Sequence, residues 1–370
     1  MVFTHSKSTG VRFDHSMYGW LALVFSLLCV GAVLCFRFPT VFTTPELRAV
    51  YPIPFLRSVL AFFLLLSFLL GLISFFLSHN KVVSLTAIAF SSLAVALGGS
   101  WVEVPDHVTT HYYVGLDWFV LDLLILGLIF VPLEYVLKRL REQKITRPAW
   151  KTDLAHFFFS HLFVQATSLL ILMPSVTLSE YLVHPKVQSL VQSQPVVLQF
   201  LEIVIIADFC QYWIHWAFHK IPVLWRFHAI HHSAESMDWL AGSRLHVVDV
   251  VVTRGLTLIP LYCLGFEQSV LQAYLLFVAF LATFIHANID LSLKPLHKVI
   301  ATPQFHHWHH ADDVQAIDKN FAVHLPLFDI LFGTYYVPSQ WPSAYGISGA
   351  KVPEGYWKHL VFPFLISKKS

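Results

Sequence analysis

The chain has 370 residues, of which 56% are hydrophobic and only 12% charged, with a mean hydropathy of +0.64. Such a composition excludes an ordinary soluble globular domain. Twenty-four Lys and Arg against 22 Asp and Glu leave a formal charge of +2. The basic residues flank apolar blocks and form no separate patch, so nucleic acid is not a partner.

In chain order, the blocks 17–36, 58–77, 82–99, 116–137, 154–174 and 196–214 are each long enough to cross a bilayer as a helix. The length of the first, and the polar residues before it, favour a retained anchor over a cleaved signal peptide. Two more blocks, 247–266 and 269–289, are separated by only two residues and predict a helical hairpin that enters and leaves on one side. Cys29, Cys35, Cys210 and Cys263 all lie inside these blocks, without Cys-x-x-Cys spacing, and read as buried thiols.

Lys138, Arg139, Arg141, Lys144, Arg147 and Lys151 stand against a single Glu142, which predicts a cytoplasmic loop by the positive-inside rule. Counting spans from it puts Lys7 and Arg12 inside and Glu103 and Asp106 outside. The 196–214 span then runs inward. The loop divides the chain into a four-span region, 1–140, and a region, 145–340, that carries the chemistry. A Pro- and Gly-rich tail, 341–370, follows. The first region reads as a lipid-facing scaffold or a dimerisation surface, the latter implying a homo-oligomer.

That chemistry lies in eight histidines: His215 and His219; His228, His231 and His232; His306, His309 and His310. Residues three or four apart share a helix face, so each cluster can aim two or three imidazoles at one point. Eight ligands exceed what one tetrahedral or octahedral ion uses, which favours two metal ions. The predicted topology delivers every cluster to the cytoplasmic face. The fold class is therefore an all-α integral membrane protein, a multi-span helical bundle with a histidine-rich dimetal site on that face.

Other residues take supporting places. Asp208, seven residues before His215, shares its helical face and is expected to accept the outer N–H of a ligating imidazole. His286 ends the hairpin beside the clusters and is a candidate ligand. His246 is either a ligand or a support for one. His307 fits neither register of its motif and reads, with Asn288, as an outer neighbour. His156 and His161 read as core or interfacial residues. His5, His15, His79, His107, His111, His184, His297, His324 and His359 have no partner at ligand spacing and read as loop or surface residues.

From Trp150-Lys151-Thr152-Asp153 to Phe332-Gly333-Thr334 the motif order resembles the fatty acid hydroxylase and sterol desaturase superfamily. These are integral-membrane di-iron enzymes, and the likeness is greatest to the alkylglycerol-monooxygenase-like and bacterial sterol-desaturase-like branch. The resemblance rests on Phe284-Ile285-His286-Ala287-Asn288, on Thr302-Pro303-Gln304-Phe305 running into His306-His307-Trp308-His309-His310, on Asp318-Lys319-Asn320-Phe321, and on the Leu331-Phe332-Gly333-Thr334 ending. Where relatives carry a second histidine four residues on, this chain has Asp290 after His286.

The resemblance implies two iron ions, dioxygen as co-substrate, and hydroxylation or desaturation of a fatty acyl, sterol or ether-lipid C–H bond. It also implies an external electron donor (a cytochrome, ferredoxin or reductase), since no haem, flavin or nicotinamide module is fused here. The basic loop reads as a topology determinant or a docking surface for that carrier. A bacterial inner membrane or an endoplasmic reticulum would both fit. The residues alone leave open a histidine-rich metal transporter, a structural metal site, or zinc, manganese or copper in the same ligands.

Overall fold

A computed structural model describes residues 16–78, 81–105, 113–160, 162–163, 177–178, 181–291, 294–347 and 352–365. The chain forms two compact units, Met1–Leu121 and Asp122–Ser370. Among the described residues no β-strand forms; there are only two isolated bridges, Lys138 with Ile289 and Ala311 with Tyr345.

In the first unit, α1 (Ser16–Arg37), α2 (Ile53–Leu77) and α3 (Lys81–Ala96) pack against one another. Small residues allow the close approach that membrane helices require. Ser67 and Ser91 hydrogen-bond at 2.8 Å, and Ser84 donates to Ser74 at 2.8 Å. Apolar side chains such as Phe62, Leu65, Phe76 and Val82 remain exposed on the outside, as a lipid-facing surface demands.

Helix α4 (Leu116–Val136) contributes its residues from Asp122 onward to the second unit. That unit is built on α5 (Val196–Lys220), α6 (Pro222–His232), α7 (Val247–Leu264), α8 (Gln268–His286) and α9 (Pro303–His309). Proline sets the joints. Pro222 occupies the first turn of α6, where its missing N–H costs nothing, and forces the chain to bend after α5. Pro303 does the same for α9, whose first turn Thr302 caps by accepting from Phe305 N at 3.3 Å. Gly265, at φ 71°, ends α7 and allows the tight passage to α8.

Among the described residues, seven helices are long and apolar enough to cross a membrane: Met17–Arg37, Ile53–Leu77, Lys81–Trp101, Leu116–Val136, Val196–Lys220, Val247–Leu264 and Gln268–His286. They coincide with seven of the eight blocks expected. The remaining one, 154–174, lies largely outside the described residues. Its start, Trp150–Ala155, is helical and passes into a π-helical turn over His156–Ser160.

Candidate metal centre

Four short stretches deliver the histidines to one region of the second unit. His215 and His219 stand one turn apart near the end of α5. His228, His231 and His232 line the last turns of α6, His286 is the final residue of α8, and His306, His309 and His310 come from α9 and its cap. They sort into two groups. His215, His219, His228, His232 and His309 form the first; His231, His286, His306 and His310 form the second. Within each group the ligand nitrogens lie within 4.8 Å of one another. The four-residue pairs 215/219, 228/232 and 306/310 each stay in one group. Successive residues point about 100° apart on a helix, so the neighbours 231/232 and 309/310 divide between the two.

The hydrogen bonds fix the tautomers. A carbonyl only accepts, so a ring nitrogen facing one must carry its proton. His215 Nδ1 donates to Phe321 O at 2.7 Å, His309 Nδ1 to Lys319 O at 2.7 Å and His286 Nδ1 to Ala282 O at 2.6 Å. His231 Nδ1 donates to Arg244 O at 3.3 Å, and His228 Nδ1 to the Asp249 carboxylate at 2.7 Å. With Nδ1 carrying the single proton of a neutral imidazole, the Nε2 atom of such a ring is a bare lone pair. Yet His215 Nε2 and His228 Nε2 are 2.9 Å apart, and His286 Nε2 and His231 Nε2 are 3.3 Å apart. Two lone pairs at that distance repel unless a cation lies between them. Ligand nitrogens about 2.0–2.1 Å from a shared ion are separated by roughly 3 Å, so these spacings fit metal ligation. His219 Nε2, His232 Nε2 and His309 Nε2 are buried without any hydrogen-bond partner, a costly state that coordination would relieve.

Burial, and then the nearness of the other rings, pushes the pKa values of His231, His232, His306, His309 and His310 well below 6.5. These imidazoles are neutral at physiological pH, the form that binds metal.

The outer partners come largely from one loop, Asp318-Lys319-Asn320-Phe321. Lys319 O and Phe321 O hold His309 and His215, while Asp318 lies 3.4 Å from His219 Nδ1. The loop presents alternate carbonyls inward with Asp318 and Asn320 at φ 59° each, a conformation that Asp and Asn tolerate better than most residues. Asn320 pins the turn by donating to Phe305 O and Tyr336 O and accepting from Tyr336 N. Asp329 accepts from Phe321 N and Ala322 N; burial raises its pKa to about 6.

A second support is a buried charge network. Arg147 pairs with Asp153 and Asp238, each at 2.6 Å, and Arg244 Nε donates to Asp153 at 2.5 Å. All four residues are at most 4% exposed. Because Arg244 O is the acceptor for His231, this network sets the orientation of that ring. Nearby, Glu134 accepts from Trp239 N and Asn288 N, both at 2.8 Å.

Several expectations need correction. The structure does not bring His246 into either group: its Nδ1 accepts from Val248 N as the cap of α7, and its Nε2 donates to Leu360 O. Asp208 does not hold a ligating imidazole. It accepts from the Val323, His324 and Leu325 amides and from His324 Nδ1 at 2.9 Å, anchoring the 323–325 loop to α5. Asn288 bonds the Leu140 backbone and touches no clustered histidine. His307 lies behind His286, donating to its carbonyl at 3.1 Å, with Tyr345 Oη 2.8 Å from the other nitrogen.

His297, His324 and His359 are buried, contrary to their reading as surface residues; His359 pairs with His156 at 2.8 Å. His5, His15, His79, His107, His111 and His161 lie outside the described residues. Asp249, Asp318 and the Arg147 network went unrecognised. An acid two residues into an apolar span was the available signal for Asp249, since such a charge is costly in a membrane unless paired.

Residues 200–334 match the fatty acid hydroxylase family. Over 172 residues the chain is 34% identical to ornithine lipid hydroxylase OlsE of Rhizobium tropici, an alignment covering 46% of this chain and 51% of that protein. Over 128 residues it is 33% identical to human alkylglycerol monooxygenase, covering 35% and 28%. Over 138 residues it is 28% identical to protein CER1-like 2 of Arabidopsis thaliana, covering 34% and 22%. The chain thus spans about half the length of the first relative and less of the others. No solved structure matches.

Proposed function

Through residues 200–334 this chain belongs to the fatty acid hydroxylase family, and from that premise we propose that it is a membrane-bound di-iron oxygenase acting on a lipid C–H bond. The observation that carries the proposal is the pair of buried histidine groups whose ring nitrogens converge. His215, His219, His228, His232 and His309 hold one iron; His231, His286, His306 and His310 hold the other. Bound there, the irons supply the reduction of dioxygen that oxidises an unactivated C–H bond.

The protein's own residues do the rest. Phe321 O, Lys319 O, Ala282 O, Arg244 O and Asp249 each keep an imidazole in the ligating tautomer, and the buried helices around them exclude water. Hydroxylation balances as R–H + O2 + 2 electrons + 2 H⁺ → R–OH + H2O, so an external one-electron carrier completes the reaction. The positive-inside argument puts the 138–151 loop, the histidines and that carrier on the cytoplasmic side. Ornithine lipid and alkylglycerol, named for two relatives, bracket the substrate class as a glycerolipid- or amino-lipid-like amphiphile.

The test is oxygen-18-labelled dioxygen supplied to the full-length protein in lipid nanodiscs with a chemical reductant. One labelled oxygen atom should enter a lipid. No label in any lipid, with metal moving across proteoliposomes, would replace this reading with transport.

Gly242 offers a finer check. A Cβ at this position meets His286 Nδ1 at 2.8 Å and Cγ at 3.1 Å, and a buried ring has little room to move. Gly242→Ala is expected to displace His286 and lower the metal content from about two ions to about one per chain. Content unchanged from wild type, measured by elemental analysis, would remove His286 from the ligand set.

A further inference from the structure

A separate cavity of about 170 Å³ lies in the second unit, beside the metal centre and outside it. It is well below the roughly 300–1,000 Å³ of whole-ligand pockets, so it suits a headgroup and not an acyl chain. Its wall includes Arg244, Thr152, Ser233 and Ser236, with Glu235 and Glu354 exposed at its edge. Arg244 is 4% exposed. Its Nε is committed to Asp153 and its Nη1 to Ser233, but its Nη2 is buried with no hydrogen-bond partner.

Leaving a guanidinium donor unpaired in the interior is expensive, which marks a place for an acceptor. The surrounding charges say which kind. Arg147 and Arg244 are balanced by Asp153 and Asp238, so the cluster has no surplus positive charge to attract a free dianion. A single oxyanion oxygen, accepting from Nη2 and the Thr152 and Ser236 hydroxyls, fits; the Ser233 hydroxyl is already donated to Ile230 O. Glu235 and Glu354 would repel a purely anionic group and favour an ammonium.

We propose that this cavity binds a zwitterionic lipid headgroup, its oxyanion on Arg244 and the Thr152 and Ser236 hydroxyls and its ammonium against Glu235 and Glu354. The pocket abuts the reaction site. Ser233 follows the ligand-group residue His232, and Arg244 holds His231 through its carbonyl. The lipid source of the ligand rests on the oxygenase reading; the binding chemistry does not.

The test is calorimetric titration of the full-length protein in detergent with dioctanoyl phosphatidylethanolamine, dioctanoyl phosphatidylglycerol, dioctanoylglycerol and free phosphoethanolamine. Turnover is not needed, so a failed oxygenase assay and a failed pocket are separable. The ethanolamine lipid should bind at least tenfold tighter than the other three. Glu235→Gln with Glu354→Gln, both at exposed positions, should erase that preference over the glycerol lipid while metal content stays at the wild-type level. Equal binding of the two phospholipids, or a preference that survives the double substitution, overturns the proposal. Free phosphoethanolamine binding as tightly as its lipid would assign the pocket to a soluble zwitterion and overturn the lipid assignment.

Discussion

Asp153→Ala is expected to destabilise the protein by about 3–5 kcal/mol, the cost of breaking a buried ion pair by removing one partner. Asp153 is fully buried and serves two guanidiniums, Arg147 on one oxygen and Arg244 on the other. Without it both arginines lose a charge partner, and the turn that presents Arg244 O to His231 loosens. Asp153→Asn, which keeps an acceptor oxygen, should cost less than Asp153→Ala. Denaturant unfolding in detergent reads the effect, and metal content on the surviving folded fraction reads its consequence for His231. A change within about 1 kcal/mol would mean that the network does not organise the 233–246 segment.

His309→Ala and His310→Ala, substitutions at adjacent positions, should strip different metal sites. His309 belongs with His215, His219, His228 and His232; His310 belongs with His231, His286 and His306. Each variant is expected to retain about one ion per chain, and the pair of substitutions together none. Each should also lose lipid oxidation by more than the roughly 10–100-fold typical of losing an outer partner, because the proposed reaction uses both ions. A variant that keeps its full metal content would show that the corresponding ring is only a neighbour.

What the sequence disclosed follows from periodicity. Long apolar runs mark spans without reference to anything distant, and four-residue spacing marks rings that share a helix face. The division of 231 from 232 and of 309 from 310 follows from the same geometry. Asp208 and His246 show where that reasoning stops. Helical phase says which face a side chain occupies, not what packs opposite it. Opposite Asp208 lies the 323–325 loop, more than a hundred residues away, and both nitrogens of His246 are occupied by backbone groups.

Arg147 was similarly opaque. Its place among five other basic residues suggested a solvated loop charge, whereas two distant or neighbouring acids draw it into the interior. The carbonyls of Phe321, Lys319 and Arg244 carry no sequence signature at all, because every residue has one. Asp318 and Asn320 are residue types that tolerate the φ of 59° they adopt there, but the sharp turn itself emerges only in the structure.

The proposed oxygenase holds two irons on nine histidines. Elemental analysis of the full-length protein, purified anaerobically in mild detergent, tests it most directly, with His231→Ala/His309→Ala as the comparison because the two positions fall in different groups. About two irons per chain are expected in the wild type and none in the folded double variant. One tightly held zinc, or no metal in well-folded wild-type protein, would contradict it.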